Sequence, residues 1–546
     1  MEENFDNENL EDLIIKNKEY YSKRRRRRII ILFVVLVIIG VILGLVFVFK
    51  DLIPKKGGKI ICFYRTTQKN ENIRLININD DIEYSLIIDD DNYDKSTFHT
   101  FEFARLHMAI FHFKNKLDSL EGFFKDTINL IEADFSELEM ENIKSMSNLF
   151  KGCVNLTRVN FDNLNTPCLE NINYMFSNCS SLVKVNLNFD TSKVKNMENM
   201  FYDCEQIQEL DLSSFKLENL INAENMFRAC FNLREIKFNN NTKTNNLEKM
   251  SYMFGGCGFI EYINTKIFKT NKVENLNNVF AQCLFLKEID LSNFELDNIK
   301  ELSNTFYKCT NLEKVETTNF NVPKLESIYS MFSNCIKLTS LNLSLINSNK
   351  LFDASNAFFN CKSLTSLDLS FSDFTKVTYT NNMFYSCTNL VYLTLPNQMI
   401  SLQDASYMFE SCSGIKEINM NFLENNRALS YAYRMFSGCA NLEKIEFPNS
   451  SSNSLYNAAE MFSECVKIEN INLGKLEVKN IGKISMMFQN CKNLQSLDIS
   501  GFNLANVQES FYIFYGANNN ISIKYNPDNI QEKVREQIEK VSLKAS

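Results

Sequence analysis

The stretch MFSNC occurs at residues 175–179 and again at residues 331–335. Both copies carry a Phe-x-x-Cys marker, whose cysteine stands at residues 153, 179, 204, 230, 257, 283, 309, 335, 361, 387, 412, 439, 465 and 491. Successive cysteines are 25 to 27 residues apart, and Leu or Ile follows each of them three residues later. A fixed period of this length is the signature of a repeat array. The sequence therefore predicts a solenoid, in which each unit buries its apolar side against its neighbours.

The segment 194–212 shows how one unit is expected to fold. Its first half carries apolar residues at helical spacing: Val194, Met197, Met200, Phe201 and Cys204. This spacing predicts a short helix. Leu210 and Leu212 then alternate with polar residues, which predicts a short strand with one buried face. The predicted fold class is therefore α/β, with units of about 26 residues that each contain a short helix and a short strand of a parallel sheet.

The Phe and Cys positions of every unit are expected to point into the stack. Representative positions of this core ladder are Phe176, Cys179, Phe201, Cys204, Phe332 and Cys335. Cysteine would act there as a small hydrophobe. A zinc site needs cysteine pairs at short spacing, and one cysteine per unit does not supply them. We predict no metal and no cofactor, and we expect the array to cover residues 119–525, with atypical units at both ends.

Residues 29–49 read IIILFVVLVIIGVILGLVFVF and contain no polar side chain. A stretch of this length matches the hydrocarbon core of a bilayer and exceeds the apolar part of a cleaved signal peptide. The basic run at residues 23–28 is denser than the basic residues that follow, which favours a cytoplasmic N-terminus. We expect a disordered cytoplasmic tail at residues 1–28, a single-pass transmembrane helix at residues 29–49, and the array outside, at the plasma membrane or cell surface.

Three further segments complete the predicted domain organisation. Residues 50–58 are a linker, and residues 526–546 are a C-terminal tail or a short helix. Residues 59–118 contain short β-like runs such as KIICFYR between polar stretches, which predicts a small β-rich domain. The formal net charge of −8 at pH 7 provides no basic surface for a nucleic acid.

Catalytic residues are not apparent in the sequence. All three histidines, His99, His107 and His112, lie in the predicted β-rich domain, so the array cannot form a His-based catalytic group. Phosphate-binding and metalloprotease motifs are missing as well. We therefore expect a protein that is not an enzyme.

The solvent-facing strand positions of the array form a long, regular surface. The candidate binding residues on it are Glu209, Asp211, Glu235, Glu288, Asp290, Asp368, Tyr392 and Asp498. Solenoids bind other macromolecules through surfaces of this kind. We therefore predict a protein ligand, and a solvated face without a partner stays open as the alternative.

The cysteine content bears on the predicted topology. Extracellular chains usually pair their cysteines, yet one cysteine per unit favours buried, reduced thiols that oxidants cannot reach. A cytoplasm-facing array, acting as a scaffold or sensor, would explain free thiols and stays open. The sequence contains six glycosylation sequons, of which Asn178 adjoins a core cysteine. The other five are candidate glycosylation sites that fit an exterior location: Asn155, Asn240, Asn342, Asn449 and Asn520.

The unit M-F-x-x-C-x-x-L-x-x-L-[DN]-L-S resembles the repeat of the BspA-like leucine-rich-repeat surface proteins. The resemblance is carried by MFYDCEQIQELDLSSF from Met200, CLFLKEIDLSNF from Cys283 and CKNLQSLDISGF from Cys491. It implies a leucine-rich-repeat solenoid displayed on a cell surface. It also implies adhesion, either between cells or to host or extracellular-matrix proteins such as fibronectin and fibrinogen. The N-terminal anchor differs from the secretion signals and C-terminal anchoring common in that family, and no catalytic residue carries over.

Overall fold

The computed structural model describes residues 57–78, 81–162, 164–316, 320–341, 346–450 and 454–542. The predicted tail, the predicted membrane segment at residues 29–49 and most of the linker lie outside the described residues. Among the described residues, no helix combines the length and apolar character needed to cross a membrane.

Six strands precede the array. They are β1 (Gly58–Arg65), β2 (Glu71–Arg74), β3 (Tyr84–Ile88), β4 (Asp91–Tyr93), β5 (Phe98–Phe101) and β6 (Leu106–Phe113). The array then contributes β7 (Leu130–Leu138), β8 (Arg158–Asn160), β9 (Lys184–Asn186), β10 (Glu209–Leu212), β11 (Glu235–Phe238), β12 (Glu288–Asp290), β13 (Lys314–Glu316), β14 (Ser366–Asp368), β15 (Tyr392–Thr394), β16 (Glu417–Asn419), β17 (Lys444–Glu446), β18 (Asn470–Asn472), β19 (Ser496–Asp498) and β20 (Ser522–Lys524). Two short 3-10 helices interrupt it, at Thr265–Ile267 and Asn421–Leu423. One α-helix, α1 (Glu532–Val541), lies in the segment predicted as a tail or short helix.

The N-terminal strands continue directly into the array. Strand β1 pairs antiparallel with β6 on one side and with β7 on the other. One sheet with the order β4-β3-β6-β1-β7-β8-β9 results. Most of its buried apolar residues belong to the same hydrophobic core as the repeats, while Phe63, Leu106 and Ile131 form a small separate cluster. These strands therefore cover the first end of the stack, while their status as a separate domain stays a prediction.

The strands of the array pair in parallel, as predicted, but the sheet is divided. Its hydrogen-bonded groups are β7-β8-β9, β10-β11, β12-β13, β14-β15, β16-β17 and β18-β19-β20. Within each group the register is regular, as in the pairing of Leu210 with Ile236 and of Ile289 with Val315. From β8 to β20 the apolar centre of each strand is buried or half-buried and its polar flanks are wholly or partly exposed, which is the alternation expected of a half-buried strand.

The predicted helix of each unit is wrong, because the Met- and Phe-rich segment is a series of tight turns. Asn199 (φ 53°) and Asp203 (φ 61°) adopt the left-handed conformation, which a right-handed helix does not accommodate. The same two positions, five residues and one residue before the cysteine, are left-handed in every repeat. The apolar residues nevertheless keep a spacing of three, because the Cys204 N–H donates to the carbonyl of Phe201 at 3.2 Å. Three-residue turns thus imitate the helical pattern in the sequence.

These turns bond each unit to the next. We call the segment 196–204 and its equivalents in the other units the turn ladder, and each unit of the stack is one rung. Four N–H groups of one rung donate to carbonyls of the following rung at 2.9 Å each: Met197 to Asn222, Asn199 to Glu224, Phe201 to Met226 and Asp203 to Arg228. The intervening N–H groups bond within the rung. In the described part of the chain, the bridges run from Ser119 to Glu509 with one break, between Lys249 and Asn275. The turn ladder is therefore more continuous than the sheet.

Two side-chain ladders fill the space between the turns and the strands. The marker phenylalanines stack from Phe124 to Phe514 with ring centroids 5.3 to 6.0 Å apart and nearly parallel planes. Each marker cysteine donates its S–H to the carbonyl of the preceding rung's phenylalanine, as Cys335 does to Phe306 at 3.2 Å. Six predicted core positions have no solvent exposure: Phe176, Cys179, Phe201, Cys204, Phe332 and Cys335.

All sixteen cysteines are free thiols. Burial raises the pKa of the Cys230 thiol to about 12 and that of Cys335 well above its usual range. The thiols therefore stay protonated, which keeps the S–H donors in place and suppresses the thiolate that oxidants attack.

Replacing Cys335 by alanine is expected to lower the free energy of unfolding by about 1–3 kcal/mol, because a buried donor and its volume are lost. Cys168 lies outside the ladder and is half-buried, so Cys168→Ala should change stability by less than about 0.5 kcal/mol. Urea denaturation followed by circular dichroism measures both. Equal effects of the two substitutions would contradict a structural role for the ladder thiols.

Substitutions of Asn382, which has φ 57°, test whether the turn positions are left-handed. Asn382→Ala should destabilise the protein by about 1–2 kcal/mol, because an alanine Cβ is disfavoured at positive φ. Asn382→Gly should cost less than half as much, since glycine adopts this conformation freely. Thermal unfolding compares the two variants, and an alanine variant as stable as the glycine variant would argue against the left-handed assignment.

Candidate functional site

The predicted binding residues lie on the solvent-facing side of strands β8 to β20, which we call the sheet face. They occupy two columns. The first column holds Glu209, Glu235, Glu288 and Tyr392, and the second holds Asp211, Asp290, Asp368 and Asp498. Because the sheet is divided, the structure brings them together only within the groups β10-β11, β12-β13, β14-β15 and β18-β19-β20.

The second column has a structural task that the sequence reasoning missed. One carboxylate oxygen of Asp211 accepts the Ser213 N–H at 2.9 Å, and Asp290, Asp368 and Asp498 each accept an equivalent serine N–H at 2.9 Å. The hydroxyl and N–H of Ser213 lower the pKa of Asp211, and the N–H and hydroxyl of Ser370 lower that of Asp368. The Asp-x-Ser spacing in the sequence was the available signal, because aspartate favours such turns. These carboxylates fix the turn after each strand.

The first column is the part of the sheet face that is open to a partner. Tyr392 is 74% exposed, and Glu209, Glu235 and Glu288 are also solvent-exposed. Glu209 and Glu235 lie directly opposite each other in the parallel pair, and Lys237 lies 3.5 Å from Glu235. Like charges opposite each other are mildly unfavourable in an isolated sheet, so this position suits a partner that brings positive charge.

Two surface clefts lie at interruptions of the strand pairing and of the turn ladder. One, of about 490 Å³, lies between β9 and β10 and is lined by Lys184, Glu209, Asp211 and Lys237 among others. The other, of about 630 Å³, lies at the break in the turn ladder and is lined by charged and amide side chains that include Glu248. Val183, Val185 and Leu210 also line the first cleft, but neither cleft is enclosed or lined mainly by apolar residues, as small-molecule sites usually are. Both therefore fit surface recognition better than enclosed binding.

Four of the five candidate glycosylation sites lie within the described residues. Asn155, Asn240, Asn449 and Asn520 are all exposed, and Asn342 lies outside the described residues. The Asn155 amide nitrogen donates to the Ile128 carbonyl at 2.9 Å, so a glycan there would displace a bond between rungs. Glycosylation of these sites stays a prediction.

His107 belongs to a buried hydrogen-bond network instead of an open site. His107 lies 2.7 Å from the Asp89 carboxylate through Nδ1, and its Nε2 lies 3.2 Å from the Thr66 hydroxyl. This order resembles a hydroxyl–imidazole–carboxylate triad. However, Thr66 is 3% and His107 2% exposed, and the Thr66 hydroxyl donates to the Phe103 carbonyl at 2.9 Å. A substrate has no access to it, so we read the network as structural.

Among the residues that the structure describes, no group of three or more His, Cys, Asp or Glu side chains is placed to hold a metal ion. The prediction that the protein is not an enzyme stays a prediction. The solenoid of leucine-rich-type repeats, with its exposed polar faces, defines a class of scaffold proteins that bind through their surfaces.

Comparisons with known proteins identify the family within this class. The family model described as "BspA type Leucine rich repeat region (6 copies)" matches residues 331–459. The family "Mycoplasma protein of unknown function, DUF285" matches residues 118–241, 229–341 and 428–540, which is more than half of the chain. The chain belongs to the BspA-like leucine-rich-repeat family, for which protein recognition or adhesion is the function that membership suggests. No curated protein matches the chain by sequence.

Solved structures with similar repeats come from several organisms. A leucine-rich cell surface protein from Faecalibacterium prausnitzii is 15% identical, with 77% of this chain and 87% of that chain covered and a TM-score of 0.19. A leucine-rich-repeat protein from Eubacterium ventriosum is 16% identical, with 57% of this chain and 83% of that chain covered and a TM-score of 0.28. The Drosophila Toll–Spatzle complex is 16% identical, with 69% of this chain covered and a TM-score of 0.26. The match spans 49% of the chain in that complex.

The turn carboxylates should make stability fall in acid. The pKa of Asp368 is lower in the folded protein than in the unfolded chain. Its stabilising contribution is therefore complete above the unfolded pKa of about 4 and is lost as pH falls through the folded pKa. Asp368→Asn should remove that part of the acid dependence, because asparagine still accepts the serine N–H.

The matched reverse change is Asn419→Asp, since Asn419 accepts the Asn421 N–H at 2.9 Å in the equivalent turn. This variant should gain acid sensitivity. Thermal midpoints measured between pH 7 and pH 3 compare the two variants with the unchanged protein. If both variants keep its pH profile, the turn role of the second column is wrong.

Proposed function

We propose that the protein is a single-pass, membrane-anchored cell-surface protein that mediates adhesion or protein recognition through its sheet face. The apolar stretch at residues 29–49 and the basic run before it support the anchor and a cytoplasmic N-terminus. Membership of the BspA-like family supports display at a surface. The ligand is a protein of the extracellular matrix, of a host or of a neighbouring cell.

The observation that carries this proposal is the rigid presentation of the first column. Glu209, Glu235, Glu288 and Tyr392 project from strands whose rungs are joined by hydrogen bonds on the turn side and by the stacked core. A surface that is already ordered loses little conformational entropy when a partner binds. The repeat also spaces equivalent side chains at about 4.8 Å, which suits contact with an extended partner surface.

A second candidate is a membrane-tethered scaffold or sensor whose array faces the cytoplasm. The sixteen free thiols favour it, because a reducing compartment keeps cysteines unpaired without further explanation. Burial of the ladder thiols reduces the force of this observation, since an enclosed thiol resists oxidation in either compartment.

Adhesion is tested with cells that display the full chain on wells coated with fibronectin or fibrinogen. The combined substitution Glu209→Gln, Glu235→Gln and Glu288→Gln should weaken attachment roughly fivefold or more, if the first column holds the contact centre. The matched control removes three exposed carboxylates outside the strands, by Glu121→Gln, Glu205→Gln and Glu218→Gln, and should leave attachment unchanged.

If neither the first-column variant nor the control variant changes attachment, the contact lies on another surface. Protease shaving of intact cells that carry an epitope tag at each end separates the two candidates. Loss of the C-terminal tag alone supports the exterior array. Survival of that tag until the cells are permeabilised overturns surface display in favour of the scaffold.

A further inference from the structure

The turn ladder has its own exposed surface, which we call the turn face. It consists of the residues that lie eight, six, five and two positions before the cysteine of each unit. Ten of the 21 tyrosines in the chain occupy these positions, and none of the ten is fully buried. Tyrosine supplies large contact area at low entropic cost and is enriched at protein interfaces.

In the early units the chain places its own cations over these rings. The Lys151 ammonium lies 4.5 Å from the ring centre of Tyr174, and the Arg228 guanidinium lies 4.3 Å from that of Tyr252. Both pairs join the residue two before a cysteine to the residue five before the next one. The turn face is therefore built to seat cations on tyrosine rings, an attraction between positive charge and the ring face.

Later units have the rings without the cations. Tyr385 occupies the position that corresponds to Lys151, two residues before a cysteine, and Tyr407 occupies the position that corresponds to Tyr174 in the following unit. In the part of the chain that the structure describes, no Lys or Arg side chain lies over the rings of Tyr379, Tyr385 or Tyr431. Tyr379 and Tyr431 are 42% and 47% exposed, so their rings are accessible from solvent.

Carboxylates alternate with these rings along one line of the ladder. Bridges connect Asp353 to Tyr379, Tyr379 to Asp404 and Asp404 to Tyr431, which places the four side chains on consecutive rungs about 4.8 Å apart. We call these four residues the tyrosine–aspartate column. Asp353 and Asp404 are held in place because each accepts the N–H of the serine two residues later, at 2.9 and 2.8 Å.

A further carboxylate of the turn face, Glu410, belongs to the same unit as Asp404. Glu410 is 6% exposed and bonds Arg434 through one oxygen at 3.2 Å. Within the described residues its second oxygen, Oε2, has no hydrogen-bond partner. Burial raises the pKa of Glu410, and the Arg434 charge opposes that rise.

We propose that the tyrosine–aspartate column binds a cationic segment of a partner protein, with arginine or lysine side chains lying over the rings of Tyr379 and Tyr431 and pairing with Asp353 and Asp404. Arginine fits best, since its planar guanidinium stacks on aromatic rings and bonds carboxylates in a fork. The inference rests on the proposed role in protein recognition but uses the turn face and not the sheet face. The carboxylates repel nucleic acids and other polyanions.

The array itself supplies substitutions that should preserve the fold. Serine occupies the ladder position of Tyr379 in other units, at Ser145 and Ser327, and asparagine does so at Asn196 and Asn222. Tyr379→Ser with Tyr431→Ser therefore removes the rings, while Asp353→Asn with Asp404→Asn removes the charges and keeps the turn acceptors. Tyr379→Phe with Tyr431→Phe retains the ring faces.

The probe is a fluorescent peptide of alternating glycine and arginine, titrated against the full-length protein and followed by anisotropy. The same peptide with citrulline in place of arginine has no charge and should bind far more weakly. The serine pair and the asparagine pair should each weaken binding of the arginine peptide roughly tenfold, whereas the phenylalanine pair should bind within about twofold of the unchanged protein.

The control Glu205→Gln with Glu218→Gln removes two exposed carboxylates that lie outside both the sheet face and the turn face, and it should leave peptide binding within about twofold. If it weakens binding as much as the asparagine pair does, or if the serine pair binds normally, the column is not the site and the inference is overturned. Failure to bind the arginine peptide at all overturns it as well. Adhesion through the first column is measured separately, so it can persist when this inference fails.

Discussion

The whole structure depends on hydrogen bonds that one repeat cannot make alone. In each turn segment, alternate N–H groups point along the axis of the stack to the carbonyls of the next rung. Without a neighbour, those groups would need water, and the apolar residues beneath them would be exposed. A single unit of about 26 residues is therefore unstable in isolation, and the stack is stable only as an array. The first end of this array is covered by the N-terminal strands.

The marker cysteine follows from the same constraint. The carbonyl of Phe176 accepts the N–H of Cys179 within its rung and also the thiol of Cys204 from the next rung, both at 3.1 Å. A carbonyl oxygen has two lone pairs, so one acceptor serves both donors. The thiol combines a weak donor with small, apolar volume. Serine would demand more polar surroundings, and alanine would leave a gap, which explains why the array uses cysteine at this position.

Much of the fold could be predicted from the sequence. The repeat and the residues that it buries followed from the Phe-x-x-Cys spacing, and the short parallel strands followed from alternation such as that of Leu210 and Leu212. The helix was predicted wrongly because turns that bond every third residue give the same apolar spacing. Asn199 and Asp203, residues that tolerate positive φ, were the signal against it.

The candidate site was less accessible to sequence reasoning. The sequence was sufficient to predict which strand positions face solvent. It was not sufficient to predict the division of the sheet, which depends on contacts between neighbouring rungs. The turn role of Asp211 and its equivalents separates the sheet face into one column that fixes the fold and one column that is open to a partner. The cation contacts of Tyr174 and Tyr252 join different rungs, so only the structure could bring them together.

Hydrogen exchange measured by mass spectrometry tests most directly whether the turn ladder holds the stack together. The informative comparison is between turn segments, such as residues 222–230, and strands, such as β11, in the same units. The account predicts that amides of the turn segments exchange as slowly as, or more slowly than, those of the strands, because hydrogen bonds join successive turn segments across the divisions of the sheet. Rapid exchange in the turns beside protected strands would contradict it, and the sheet would then be the element that joins the repeats.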